Sequence, residues 1–256
     1  MEVSLVHGMG LLLVGVAGGF ANSVAGGASL MSMPALLMCG LPLQAALATN
    51  KLATTGQSLF TAFRYRQGGY FSLKTWMSAA LPALLGASFG AFIVLELPQW
   101  VLQLAVGVVL CLALGLTLFA PRIKEGEVVE SQQTHSRATS WAVMGGIGVY
   151  GGFFGGGVGL LLVPILNRFY GLDFLRANGV KSGLAAVMNF TALGIFLVGG
   201  GVEFAYGGLL LLGMLLGAYF GVNVAINKGE KWVRVALVVA TVASLLILGG
   251  RAFGVL

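Results

Sequence analysis

Lys51 and Lys181 are ammonium groups written into apolar stretches, and they stand 130 positions apart. Each follows a glycine-rich break and then a proline. Gly26-Gly27-Ala28-Ser29 and Pro34 precede Ala48-Thr49-Asn50-Lys51, and Gly155-Gly156-Gly157-Val158-Gly159 and Pro164 precede Asn178-Gly179-Val180-Lys181. The prolines are also 130 apart. A charge inside a bilayer is expensive and by default marks a functional site. All eight acidic residues (Glu2, Glu96, Glu125, Glu127, Glu130, Asp173, Glu203, Glu230) fall in expected loops or at helix ends, so no membrane carboxylate is at hand for either lysine. The natural partner is an anion.

The neighbouring residue types fit that chemistry. A helix that starts at a glycine break leaves backbone N–H groups unpaired, with the positive end of its dipole directed into the protein, and such an end accepts anions. The expected binding residues in the first half are Asn22, Ser23, Gly26, Gly27, Ser29, Thr49, Asn50, Lys51 and Thr54. In the second half they are Gly155, Gly156, Gly157, Asn178, Lys181 and Ser182. Lys51, Thr54 and Ser58 share a helical face by their spacing, which should line a polar cavity. The competing readings are close helix packing for the glycines and snorkelling to the headgroups for the lysines. No nucleophile paired with a base, metal cluster or cofactor motif appears, so no enzyme, metal or cofactor is expected. Cys39 and Cys111 read as small core residues.

The elements that must position these groups are membrane helices. Of the 256 residues 58% are hydrophobic and 9% charged, against about 25% charged in a soluble domain. Long uninterrupted apolar segments mean helices, because barrel strands alternate. The net charge of +6 sits mostly in short loops and reports orientation, not nucleic-acid binding. The N-terminus has no basic region or cleavage site of the signal-peptide kind.

The chain repeats itself. Gly19-Phe20 matches Gly152-Phe153, Gly86-Ala87 matches Gly217-Ala218, and Trp100-Val101 matches Trp232-Val233, at offsets of 133, 131 and 132. The expected units are 1–120 and 138–256, joined by a polar cytoplasmic linker at 121–137. Each unit divides into five apolar pieces: 5–25, 28–40, 44–63, 74–95 and 99–119, then 139–155, 157–169, 176–198, 203–225 and 232–250. Arg64, Arg66 and Lys74 flank the third loop of the first unit, whereas Gly199 to Glu203 carries no basic residue. Lys228, Lys231 and Arg234 follow the fourth piece of the second unit, whereas Glu96 to Gln99 has none. Basic loops stay cytoplasmic, so matching loops lie on opposite sides and both termini face outward. The expectation is an all-α polytopic protein of two inverted repeats, with about eight full spans and two short or re-entrant helices. That is the common plan of secondary transporters.

These residues resemble the TauE/SafE family of sulfite and sulfonate exporters over essentially the whole chain. The resemblance rests on Ala17-Gly18-Gly19-Phe20 through Ala25-Gly26-Gly27, Pro34-Ala35-Leu36, Ala48-Thr49-Asn50-Lys51-Leu52, Gly151-Gly152-Phe153-Phe154-Gly155 and Lys181. It implies a multi-pass permease of the bacterial inner membrane that moves a small sulfur-containing anion, such as sulfite, sulfoacetate or a related sulfonate, generally outward. Its expected partners are that anion and the lipid bilayer, with a homodimer admitted. Relatives often carry an acid before the second Gly-Phe-Phe-Gly, where this chain has Gly151-Gly152. Any role of that acid does not transfer. The alternative is a non-transporting membrane subunit that anchors or assembles a partner enzyme.

Overall fold

A computed structural model describes residues 4–24, 26–108, 136–199 and 201–227. The linker up to 135, the expected pieces at 109–119 and 232–250, and the cluster of Lys228, Lys231 and Arg234 lie outside the described residues. Within them there are nine helices and no strand. In chain order these are α1 (Leu5–Val24), α2 (Ala28–Met38), α3 (Leu43–Gln67), α4 (Leu73–Glu96), α5 (Gln99–Val108), α6 (Arg137–Phe153), α7 (Val158–Tyr170), α8 (Phe174–Gly199) and α9 (Phe204–Asn227). Every apolar piece read from the sequence that falls in the described residues is a helix.

Four of the described helices are long and apolar enough to cross a membrane, namely α1, α4, α8 and α9. α3 has 25 residues, yet it is too polar to join them by composition. The reason is that its polar residues face protein: Thr49, Asn50, Lys51, Thr54, Thr55, Gln57, Ser58 and Thr61 are all buried. At 1.5 Å per residue, α2 (11 residues) and α7 (13 residues) measure about 16 and 20 Å, short of a hydrocarbon core of about 30 Å. Each starts at a glycine with positive φ, Gly27 (130°) and Gly157 (75°), and each carries its proline as the seventh residue. α1 is thus broken from α2, and α6 from α7, at backbone conformations that side chains other than glycine rarely adopt.

Two pairs of helices touch backbone to backbone. α4 packs on α6, where a Cβ at Gly90 would fall 2.1 Å from Val149 O and one at Gly152 would fall 2.1 Å from Ala87 O. α9 packs on α1 in the same manner: a Cβ at Gly217 would lie 2.0 Å from Val16 O, and one at Gly19 would lie 2.2 Å from Met214 O. Lipid tails are as apolar as leucine, so membrane helices associate through close packing of small residues rather than through burial from water. The stripes Gly86/Gly90 and Gly213/Gly217/Gly221 are such contacts. α3 and α8 pack on each other between these pairs and carry the two lysines.

Gly152→Ala should therefore force the α4 and α6 backbones apart, and thermal unfolding of the detergent-purified protein should show a loss of about 3 kcal/mol or more. Gly146→Ala, on the same helix with nothing within 4 Å of the added methyl group, should be neutral or gain up to about 1 kcal/mol from helix propensity.

Candidate functional site

The broken helices create the local problem that the lysines solve. The last carbonyls of a helix have no partner within it and carry its partial negative charge. At the end of α6, Tyr150 O accepts from the backbone N–H groups of Phe154 and Gly155. Gly151 O and Phe154 O accept from Lys51 Nζ at 2.5 and 3.3 Å. Asn189 Oδ1 on α8 supplies a third acceptor at 3.1 Å. Lys51, on α3, thereby spans to α6 and α8, and its three N–H donors have three oxygens. The same head group sits where a side chain on Gly155 would be, 2.9 Å from the position of its missing Cβ.

Lys181, on α8, does the corresponding thing at the end of α1. Its Nζ donates to Asn22 O at 2.9 Å and to Asn178 Oδ1, one turn away on its own helix, at 2.8 Å. Ser23 O accepts from Tyr65 Oη at 3.1 Å, and Ala21 O accepts from the Gly26 N–H at 3.1 Å. Both lysines are buried, at 1% and 3% exposure. Among the described residues neither meets a carboxylate; the ion pair found there, Asp173 with Arg176, is exposed.

The other expected residues divide into groups. Asn22, Lys181 and Ser182 line one small cavity of about 10 Å³, room for a single water-sized atom, together with Gln57, Ser58 and Gly159. Gly26 closes against it, since a Cβ there would lie 2.5 Å from Gly159 Cα. The two glycine breaks thus touch each other. Asn22 also caps the break itself: its Oδ1 accepts from the Gly27 N–H at 3.2 Å, and its Nδ2 donates to Gln57 Oε1 at 2.5 Å.

A second group is occupied elsewhere. Asn50 holds α2 to α3, donating from Nδ2 to Ser29 Oγ at 2.9 Å and accepting from Ser32 Oγ at 2.6 Å. Thr49 Oγ1 accepts from the Glu203 N–H at 3.0 Å and so fixes the start of α9. Thr54, Ser182 and Ser23 return their hydroxyls to backbone carbonyls of their own helices. Gly156 O accepts from Tyr150 Oη, and Gly157 caps α7. The structure therefore gathers Asn22, Lys181 and Ser182 at the cavity with Gly26 against it, puts Lys51 and Gly155 together at the other break, and uses Ser29, Thr49 and Asn50 to hold helices.

Two polar side chains that line the cavity, Gln57 and Ser58, were absent from the expected binding set. Ser58 carried a signal, the shared face with Lys51 and Thr54, and it is this member of the face that reaches the cavity. The carbonyls that receive the lysines had no signal, since a backbone acceptor leaves no mark in a sequence.

Comparison with known proteins agrees with the motifs. The family profile described as Sulfite exporter TauE/SafE matches residues 11–248. "Probable membrane transporter protein YfcA" of Escherichia coli K12 is 30% identical over 234 residues, covering 90% of this chain and 85% of that protein. "Probable membrane transporter protein ORF9" of Sinorhizobium sp is 33% identical over 229 residues, with 88% and 85% covered. A "Probable membrane transporter protein" of Haemophilus influenzae is 29% identical over 234 residues, with 90% and 89% covered. No solved structure matches the chain. With nearly its full length aligned and its apolar helices in place, the chain belongs to the TauE/SafE sulfite exporter family of multi-pass membrane transporters.

Proposed function

We propose that this transporter is a permease of the bacterial inner membrane that moves a small sulfur-containing oxyanion (sulfite, sulfoacetate or a related organosulfonate) outward by alternating access. The observation that carries the reading is the pair of buried lysines at the ends of two broken helices, with no carboxylate beside them among the described residues. The ligand site lies where the two glycine breaks meet, beside Lys51 and Lys181. Positive charge held on neutral oxygens keeps most of its field, and an anion placed there is attracted in a low-dielectric surrounding.

The architecture we propose is two inverted units, 1–120 and 138–256, joined by a cytoplasmic linker at 121–137, with both termini outside. The contacts support it by their reciprocity. The first unit's lysine serves the second unit's broken helix and the reverse. Glycines of α4 and α6 interlock as those of α9 and α1 do. Rocking of one unit against the other would separate the Gly26–Gly159 contact on alternate sides.

The inversion is testable by labelling single cysteines in intact cells, in a background lacking Cys39 and Cys111, with a membrane-impermeant thiol reagent. Val202→Cys should label from outside, and Gln67→Cys only after permeabilisation. Labelling of both from one side would sink the inverted arrangement. For the ligand, sulfite, sulfate, thiosulfate, sulfoacetate, taurine and chloride should be compared for thermal stabilisation of the purified protein. A sulfur oxyanion should give the largest shift, and no shift with any anion would reject the permease reading.

Coupling follows from the same absence of membrane carboxylates. An inside-negative potential drives an anion outward without a proton. A potential of 100 mV supplies about 2.3 kcal/mol per charge, which sustains a gradient of roughly 40-fold. In proteoliposomes, flux of the anion should follow an imposed voltage. Flux that tracked a pH gradient and ignored voltage would exclude this mechanism.

A further inference from the structure

The two lysines are alike in position and unlike in hydrogen bonding. Lys51 has three acceptors for three N–H donors, from Gly151, Phe154 and Asn189. Lys181 has two acceptors among the described residues, Asn22 O and Asn178 Oδ1, and it lines the cavity. A second donor belongs to another residue that lines that cavity. Ser58 Oγ is buried, with its residue at 1% exposure, and has no partner at all. A buried hydroxyl on a helix ordinarily returns to the carbonyl four residues back, as Thr54, Thr55, Thr61 and Ser182 do. Ser58 does not. Native interiors rarely leave such a group unpaired, and one that is unpaired calls for a specific explanation.

The remaining polar side chains at the cavity all have partners within the protein, Ser182 through Asn178 O. Asn22 bonds Gln57 and the Gly27 N–H, and Gln57 Nε2 donates to Thr61 Oγ1 at 2.8 Å. Of the lining groups, Ser58 Oγ is the one buried polar atom with no partner, Lys181 keeps one N–H beyond its two acceptors, the Asn22 and Gln57 amides keep one N–H each, and no acidic side chain stands among them. A hydroxyl and an ammonium on residues that line one cavity suit an acceptor-only oxygen of an oxyanion. The cavity's size fits one such oxygen, with the rest of the ligand requiring the Gly26–Gly159 contact to open.

Building on the permease reading, we propose that the site is asymmetric: Lys181 and Ser58 bind the oxyanion directly, and Lys51 is a positioning residue that clasps α3 to the end of α6 without touching the ligand. The repeat supplies two lysines, and only one faces the cavity.

The test is anion binding by the purified full chain in lipid nanodiscs, by calorimetry and thermal shift, with sulfite, sulfate, sulfoacetate and chloride as probes. Ser58→Ala removes a hydroxyl that bonds nothing in the protein. It should leave the melting temperature of the anion-free protein unchanged or raised, and weaken the best probe about 10- to 100-fold, as loss of a hydrogen bond to a charged group does. Lys181→Gln should lose the probe as well. Asn189→Ala, which takes one acceptor from Lys51, should lower the melting temperature and keep the affinity within about threefold of the parent. Ser58→Ala binding the probe like the parent would overturn the assignment. So would an Asn189→Ala loss of affinity as large as that of Lys181→Gln. A parent protein that binds no probe would overturn the permease reading and this pocket together, whereas normal parent binding with an indifferent Ser58→Ala overturns the division of roles alone.

Discussion

An ammonium group cannot be left unsolvated in an apolar interior, and the unpaired carbonyls at the end of a broken helix cannot either. In this protein each problem answers the other. Moving an isolated ammonium into a medium of low dielectric costs tens of kcal/mol on the Born estimate, so the group must be surrounded by oxygen. Interrupting α1 before Gly26 and α6 before Gly155 produces that oxygen in the middle of the fold. Lys51 and Lys181 collect it from the helix that is not their own neighbour in sequence: contacts of the first span 100, 103 and 138 positions, and the longest contact of the second spans 159. A local defect in one part of the chain is thus repaired by a charge from a distant part. The two can be satisfied only in the folded arrangement.

Everything else serves this exchange. α3 can carry eight buried polar side chains because they face helices and not lipid, and most of their hydrogen bonds go to the backbone of α3 itself, to carbonyls at the end of α6 or to side chains on α1, α2 and α8. Between its ends its exposed residues, Leu59 and Phe63, are apolar and suit lipid tails. The glycine faces of α1, α4, α6 and α9 bring backbones within van der Waals reach, which holds the outer helices without any burial from water. A larger side chain at these positions meets a carbonyl oxygen rather than a flexible side chain, so the contact has no means of relaxing.

Closeness of the two glycine breaks also has a functional cost and use. Gly26 against Gly159 leaves a cavity that holds about one atom, so the described conformation is closed at that point. Small residues on both sides give a contact with little to undo: it can part without dragging bulky side chains through the core. Beside that contact the Lys181 ammonium is held by two neutral oxygens even in the closed arrangement.

Much of this protein was legible in the residues. Hydropathy placed the helices, because each backbone group in lipid must be satisfied within its own segment, which leaves little choice of structure. The breaks before α2 and α7 were visible as glycine clusters, and the lysines were conspicuous as charges among apolar neighbours. Family membership followed from the same motifs and agrees with the matched profile. The partners of the lysines were not legible. Backbone carbonyls are common to every residue, and which of them lies near Nζ depends on how α3 and α8 meet α6 and α1 across more than a hundred positions. The same holds for the assignment of polar side chains. Asn50, Ser29 and Thr49 read as equal to Asn22 and Ser182 by type and spacing, yet tertiary packing turned the first three to fastening helices and the others toward a cavity. Periodicity tells which face of a helix a residue occupies; only the packing of one helix on another decides what stands opposite that face.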